Sequence, residues 1–169
     1  MSLSCRLDKD ENDKSIGQKL YQGIIRSLLY LTASRPDIIF NICICARFQV
    51  NPKESHMLAV KGIWRYLVET QNLGLWYSKQ SSINLIGYSD ADYGRYKIDR
   101  KSTSKIYQFL RLNLIFWFCK KQNSVASSTA KAKYITVGSC CAQIFWIIQQ
   151  LKDYGIEQTK IPIRCDKLV

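Results

Sequence analysis

Histidine is nearly missing from this chain. His56 is the single one among 169 residues. A zinc site of the usual Cys/His kind needs more, and the seven cysteines (Cys5, Cys43, Cys45, Cys119, Cys140, Cys141 and Cys165) include no CxxC pair. Their number is odd, so they read as free thiols of a reducing compartment rather than as a disulfide framework. Acidic residues are also scarce. Thirteen Asp and Glu stand against 25 Lys and Arg, which leaves a net charge of +12 and a pI near 9.5. That balance points to a polyanionic partner, nucleic acid or an anionic surface, with a solvated basic surface as the plainer account. Long apolar runs are absent. None reaches the ~18 residues of a membrane span, and the opening MSLSCRLDKDENDKS lacks the apolar centre of a signal peptide. The expectation is an intracellular chain with no membrane segment, of unspecified compartment. There is no internal repeat and no low-complexity tract.

What is present suffices for a core, since 47% of the residues are apolar. Residues 1–20 are polar and read as a lead-in or linker. Helical spacing begins at Tyr21, with Ile24, Ile25, Leu28, Leu29 and Thr32 on one side. Pro36 interrupts it, and Asp37 can start a second helix through Phe48. A third helix is expected with Asn51 as cap, Pro52 at its first position and Glu54 closing a box. It would bury Val60, Ile63, Trp64 and Leu67 and carry Lys53, Lys61 and Arg65 outward.

The pattern then changes to short extended runs. LGLWYS and INLIGYS read as strands with the turn signal KQSS between them, and KIYQFL and LIFWFCK as a hairpin about Leu112-Asn113. A long helix follows, capped by Ser127, Ser128 or Thr129 and closed by Gly155, with Tyr134, Val137, Cys141, Ile144, Ile148 and Leu151 on one face. IPIRCD is a last strand. A strand, a long helix and another strand imply a crossover joining parallel neighbours in an otherwise antiparallel sheet.

That topology brings strand ends together. Asp90 and Asp92 end one strand and Asp166 ends another, so Asp90 and Asp166 can converge at one edge. Convergent carboxylates can hold Mg²⁺ ions for phosphodiester cleavage, whereas an Asp after a strand also serves as an ordinary turn former.

The motifs SRPDI, NPKESH, YSDADY, DRKSTS, KKQ and the helix start SST…Y occur in one order across roughly residues 20–169. In this the chain resembles copia-type LTR retrotransposon Pol polyproteins, at the end of the reverse transcriptase region and the ribonuclease H domain after it. The resemblance implies an α/β fold: a ribonuclease H-like mixed sheet with a long crossover helix over residues 78–169. A helical thumb/connection-like segment over residues 21–77 would precede it. It implies Mg²⁺-dependent cleavage of RNA in RNA–DNA hybrids, with Asp90 and Asp166 as catalytic and metal-binding carboxylates. The polymerase's own aspartates lie upstream in the family, so polymerase activity is not expected.

The helix start departs from the family. Its usual STAEAEY reads Ser128-Thr129-Ala130-Lys131-Ala132-Lys133-Tyr134 here, and Lys133 stands at the metal-binding glutamate. A fourth acidic ligand falls beyond residue 169 in the family. An ammonium cannot ligate Mg²⁺. At ~4 Å from the ion it would be repelled by ~8 kcal/mol at an effective dielectric of 20. Even ~3 kcal/mol weakens binding more than a hundredfold. The resemblance therefore implies Mg²⁺ as the family's cofactor without productive binding here, and Lys133 itself can fill the place of the metal by pairing with Asp90 or Asp166, which would keep the fold and end the chemistry.

Family glycines are also replaced. Arg95 follows Gly94 in a turn usually written Ala-Gly, and Lys105 and Arg111 take two further glycine positions. Where φ is positive, each costs ~1 kcal/mol or more. Arg95, Lys97, Arg100, Lys101, Lys105, Lys120 and Lys121 gather near Tyr93, Tyr96 and Trp117, a combination that suits phosphates and stacked bases. Three functional readings follow: an inactive Pol fragment that still binds nucleic acid, an active ribonuclease H using Asp90 and Asp166, and a structural remnant. The oligomeric state is not set by the sequence.

Overall fold

The computed structural model describes residues 7–79, 83–94 and 98–165. The chain divides into two compact units, Met1–Leu75 and Trp76–Val169. Among the described residues no helix is long and apolar enough to cross a membrane.

The first unit is helical: α1 (Gln18–Leu31), α2 (Ile39–Cys45) and α3 (Glu54–Glu69), with single 3₁₀ turns at Pro36–Ile38 and Ala46–Phe48. Tyr21, Ile25 and Leu28 of α1 pack with Ile42 and Cys45 of α2 and with Val60, Ile63 and Leu67 of α3. The Tyr21 hydroxyl donates to the Cys45 carbonyl at 2.9 Å, which satisfies the one polar atom of that buried ring.

The start of α3 differs from expectation. Its N-cap is Lys53, not Asn51, and Glu54 is the first helical residue. The polar lead-in supplies the capping groups. The Asp13 carboxylate accepts the Ser55 N–H at 2.8 Å, and that bond holds its acid below the usual range. Lys53 was expected on the outer face. It is buried, and its ammonium donates to the Asp13 carbonyl and the Ser15 hydroxyl. His56 accepts the Lys53 N–H on Nδ1 at 3.0 Å, so Nε2 carries the proton and donates to the Asp8 carbonyl at 2.7 Å. The chain's single histidine thus ties residues 8–15 to a helix start. Trp64 is 48% exposed rather than core, because Ala59, Val60, Ile63 and Leu67 already form the buried stripe.

The SRPDI motif is structural as well. Arg35 forks onto Asp37 at 2.8 Å and also donates to the Thr70 carbonyl and hydroxyl, where α3 ends. Tyr66 completes the cluster through its hydroxyl on Asp37. Cations near the last carbonyls suit the negative end of a helix.

The second unit holds β1 (Leu85–Asp92), β2 (Thr103–Leu110), β3 (Asn113–Lys121), α4 (Thr129–Asp153) and β4 (Ile163–Cys165). Strand order is β3-β2-β1-β4, with β1 antiparallel to β2 and parallel to β4. The expected crossover is present, and α4 makes it. LGLWYS is not a strand. Both edges of β1 are taken by β2 and β4, so no ladder position is left beside it. Ser78 instead exchanges hydrogen bonds with the Asn113 side chain. The KQSS turn lies partly outside the described residues.

α4 buries Ala132, Thr136, Cys140, Ile144, Ile147 and Leu151, while the expected core residue Tyr134 is 73% exposed. Small residues set this rotation. Ala132 packs on Ala91 and Ala126, and Gly87 lets the helix close on β1. A Cβ at Gly87 would lie 2.8 Å from Ile144 Cδ1 and 3.0 Å from Cys140 Sγ.

Candidate active site and nucleic-acid interface

β1 alternates faces. Leu85, Gly87, Ser89 and Ala91 point toward α4, and Asp90 and Asp92 lie on the other face. The register places Lys105 of β2 directly opposite Asp90. Opposed residues share a face, and here they pair: Lys105 Nζ lies 2.8 Å from Asp90 Oδ2, with the carboxylate side chain 39% exposed. The described cation at Asp90 is therefore Lys105. β4 runs parallel to β1, in register through Ser89 and Cys165, where Ser89 Oγ and Cys165 Sγ are 3.1 Å apart. The next residue of the chain, Asp166, lies outside the described residues, as do Arg95 and Lys97.

The start of α4 is built by a polar seam. Ser128 caps it, its hydroxyl accepting the Lys131 N–H at 3.1 Å. The buried amide of Gln122, from the KKQ motif, donates to the Ala132 carbonyl at 2.9 Å and to Ser104 Oγ at 3.0 Å. Ser104 in turn meets Thr136 Oγ1 at 2.7 Å. DRKSTS, KKQ and the helix start are thus three sides of one packed junction. Its function is to hold the first turns of α4 against β2 and β3. Nothing acidic stands in the first turn of α4, where the dipole favours acid. Lys131 is exposed and Lys133 half-buried.

The remaining described basic candidates differ in their surroundings. Lys121 is paired with Asp99 at 2.8 Å. Burial pushes the Asp99 acid up, but the Lys121 ammonium and the Lys101 backbone N–H outweigh it and hold the carboxyl below its usual range. Arg100 is exposed with φ +54, at the turn beside Gly94. Lys101 gives its backbone N–H to Asp99, and Lys120 is exposed on β3. Arg111 occupies the first position of the two-residue β2–β3 turn with φ +64, where hairpins favour glycine. Among the described residues no three of His, Cys, Asp and Glu converge as a metal site would need.

The second unit is a mixed α/β domain in which one long helix crosses from the edge strand β3 to β4, the parallel neighbour of β1, a layout compatible with ribonuclease H-like folds. Sequence similarity makes the identity narrower. The chain is 38% identical over 169 residues to the retrovirus-related Pol polyprotein from transposon RE1 of Arabidopsis thaliana, covering 99% of this chain and 12% of that one. It is 34% identical over 148 residues to the corresponding polyprotein from transposon TNT 1-94 of Nicotiana tabacum, covering 86% of this chain and 11% of the relative. A secreted RxLR effector protein 161 of Plasmopara viticola is 30% identical over 128 residues, 75% of this chain and 90% of that protein. The chain belongs to the copia-type retrotransposon Pol polyproteins, and it spans about 12% of the length of the two Arabidopsis Pol polyproteins it matches, those of transposons RE1 and RE2. No protein-family model and no solved structure matches it.

Proposed function

We propose that the chain is a retrotransposon-derived Pol fragment whose ribonuclease H-like unit binds nucleic acid but does not cleave it. The observation that carries this reading is the Lys105–Asp90 ion pair at 2.8 Å. It gives the one described candidate carboxylate an internal counter-ion. Lys133, at the position matched to the family's glutamate, offers an ammonium where a metal ion needs an oxygen.

Among the described residues the donor set does not fit Mg²⁺, and Asp166, the other expected ligand, lies outside them. One carboxylate already neutralised, with a cationic side chain in place of the next ligand, leaves too little negative charge to offset dehydration of the ion. No step is therefore assigned to a metal. The helical first unit, by its resemblance to a thumb or connection segment, is read as a former polymerase part without activity of its own. The partner class is nucleic acid, an RNA–DNA hybrid in particular, in keeping with the net charge of +12.

A second reading, an active ribonuclease H, draws support from β4 running parallel to β1 toward the Asp90 corner. A hybrid-cleavage assay with Mg²⁺ or Mn²⁺ separates the two. It compares the unmodified chain, Lys133→Glu, and Lys133→Glu combined with Lys105→Ser. Cleavage by the unmodified chain above background refutes the inactive reading. Binding of the hybrid without cleavage is the expected result.

A further inference from the structure

β3 is the outer strand of the sheet, and α4 packs across one face. Between the two lies a cleft of about 240 Å³ lined by Lys120, Gln122, Asn123, Ser124, Ile135 and Ser139 among others, none of them acidic. Lys120 stands opposite Ser104, whose hydroxyl meets α4, so Lys120 is on the α4 side of the sheet. Lys131, Ile135 and Ser139 are four apart along α4 and share one side of it. Lys131 therefore lies one turn beyond the cleft, toward the helix start.

Charge distinguishes these two lysines from Lys105 and Lys121. Lys105 is matched by Asp90 and Lys121 by Asp99. Among the described residues neither Lys120 nor Lys131 has an ion-pair partner. The positive end of the α4 dipole lies beside Lys131 and adds to the same field. Size decides the class of ligand. The cleft is smaller than the several hundred Å³ usual for small-molecule sites, and it opens along a sheet edge, so it suits a stretch of polymer.

We infer that the groove between β3 and α4 takes the sugar-phosphate backbone of a nucleic-acid strand. Lys120 and Lys131 meet its phosphates, and Asn123, Ser124 and Ser139 supply neutral donors. The inference rests on the nucleic-acid reading above and places the contact. On this account the lysine at 131 adds affinity at a helix start that has lost its acid.

The test is fluorescence anisotropy of the full chain with a labelled single-stranded oligonucleotide and with an RNA–DNA hybrid, across a salt series. Lys120→Gln and Lys131→Gln should each weaken binding of the single strand about fivefold at 0.1 M salt and flatten the salt slope by about 0.7. The double variant should lose about 25-fold, as independent contacts require. Ser139→Trp, which fills the cleft without changing charge, should weaken binding while circular dichroism stays as in the parent. Lys152→Gln, at the far end of α4, should bind as the parent does. Should the parent bind and all three groove variants match it, the groove is wrong and the nucleic-acid reading stands. Should the parent bind neither probe, both fall. Losses that depend on base sequence would overturn the backbone assignment.

Discussion

Lys131→Glu should stabilise the second unit while weakening its hold on nucleic acid. Lys131 is the third residue of α4, and its backbone N–H is already taken by the Ser128 hydroxyl at 3.1 Å. Glutamate at this position can reach back to the Ser128 N–H and complete the reciprocal box that lysine, having no acceptor, cannot form. A charge at an exposed helix end is worth ~0.3–1 kcal/mol, and reversing its sign counts twice. The restored hydrogen bond adds ~0.5–1 kcal/mol. Because Lys131 is exposed, the lower half of each range applies, which gives ~1–2 kcal/mol in total. For a unit of this size that is a rise in Tm of roughly 4–16 °C. Urea unfolding followed by circular dichroism, with the m-value unchanged, measures it. Lys131→Gln supplies the bond and removes the unfavourable charge without adding a favourable one, and should give about two thirds of the gain. In 1 M salt the lead of Glu over Gln should shrink, as screening requires. If Glu leaves stability unchanged or lowers it, the electrostatic account of this helix start is wrong.

Other consequences are as direct. Arg111→Gly relieves a side chain held at φ +64 and should stabilise the β2–β3 hairpin by ~1 kcal/mol, read by the same urea titration. Gly87→Ala should destabilise by ~1–3 kcal/mol, because the new methyl meets Ile144 Cδ1 at 2.8 Å and Cys140 Sγ at 3.0 Å; a neutral result would mean that α4 shifts freely on the sheet. Asp99 has a lowered acid, so its contribution to stability is complete above the ordinary carboxylate value of about 3.9 and is lost as pH falls through the lower folded-state value. Carboxyl NMR titration of Asp99 should show that midpoint rising toward the ordinary value in Lys121→Met. Burial pushes the Cys140 thiol up to about 11, so alkylation followed by mass spectrometry should label exposed Cys165 well before Cys140.

Much of the architecture can be read from local pattern. Periodicities of three and four mark α1, α3 and α4, and the aromatic and β-branched runs mark β2 and β3. The long helix ahead of β4 implied a crossover between parallel strands; that β4 then pairs with β1 is a fact of the sheet. Misreadings came where a residue's role is set by a distant partner. Lys53 looks like a surface cation until Asp13 and Ser15 close over it. Tyr134 looks like core until Ala132 and Thr136, smaller and less conspicuous, take the buried side. LGLWYS has the composition of a strand but no free ladder edge on β1 to join.

The sequence by itself determined the charge, the family, the succession of elements and the presence of lysine at 131 and 133, in the first turns of α4. Those depend on residue identity and near-neighbour spacing, which the chain states directly. Only the tertiary structure decided which lysine neutralises Asp90. That depends on the register of β1 against β2, and a shift of one residue would have turned Lys105 to the other face of the sheet.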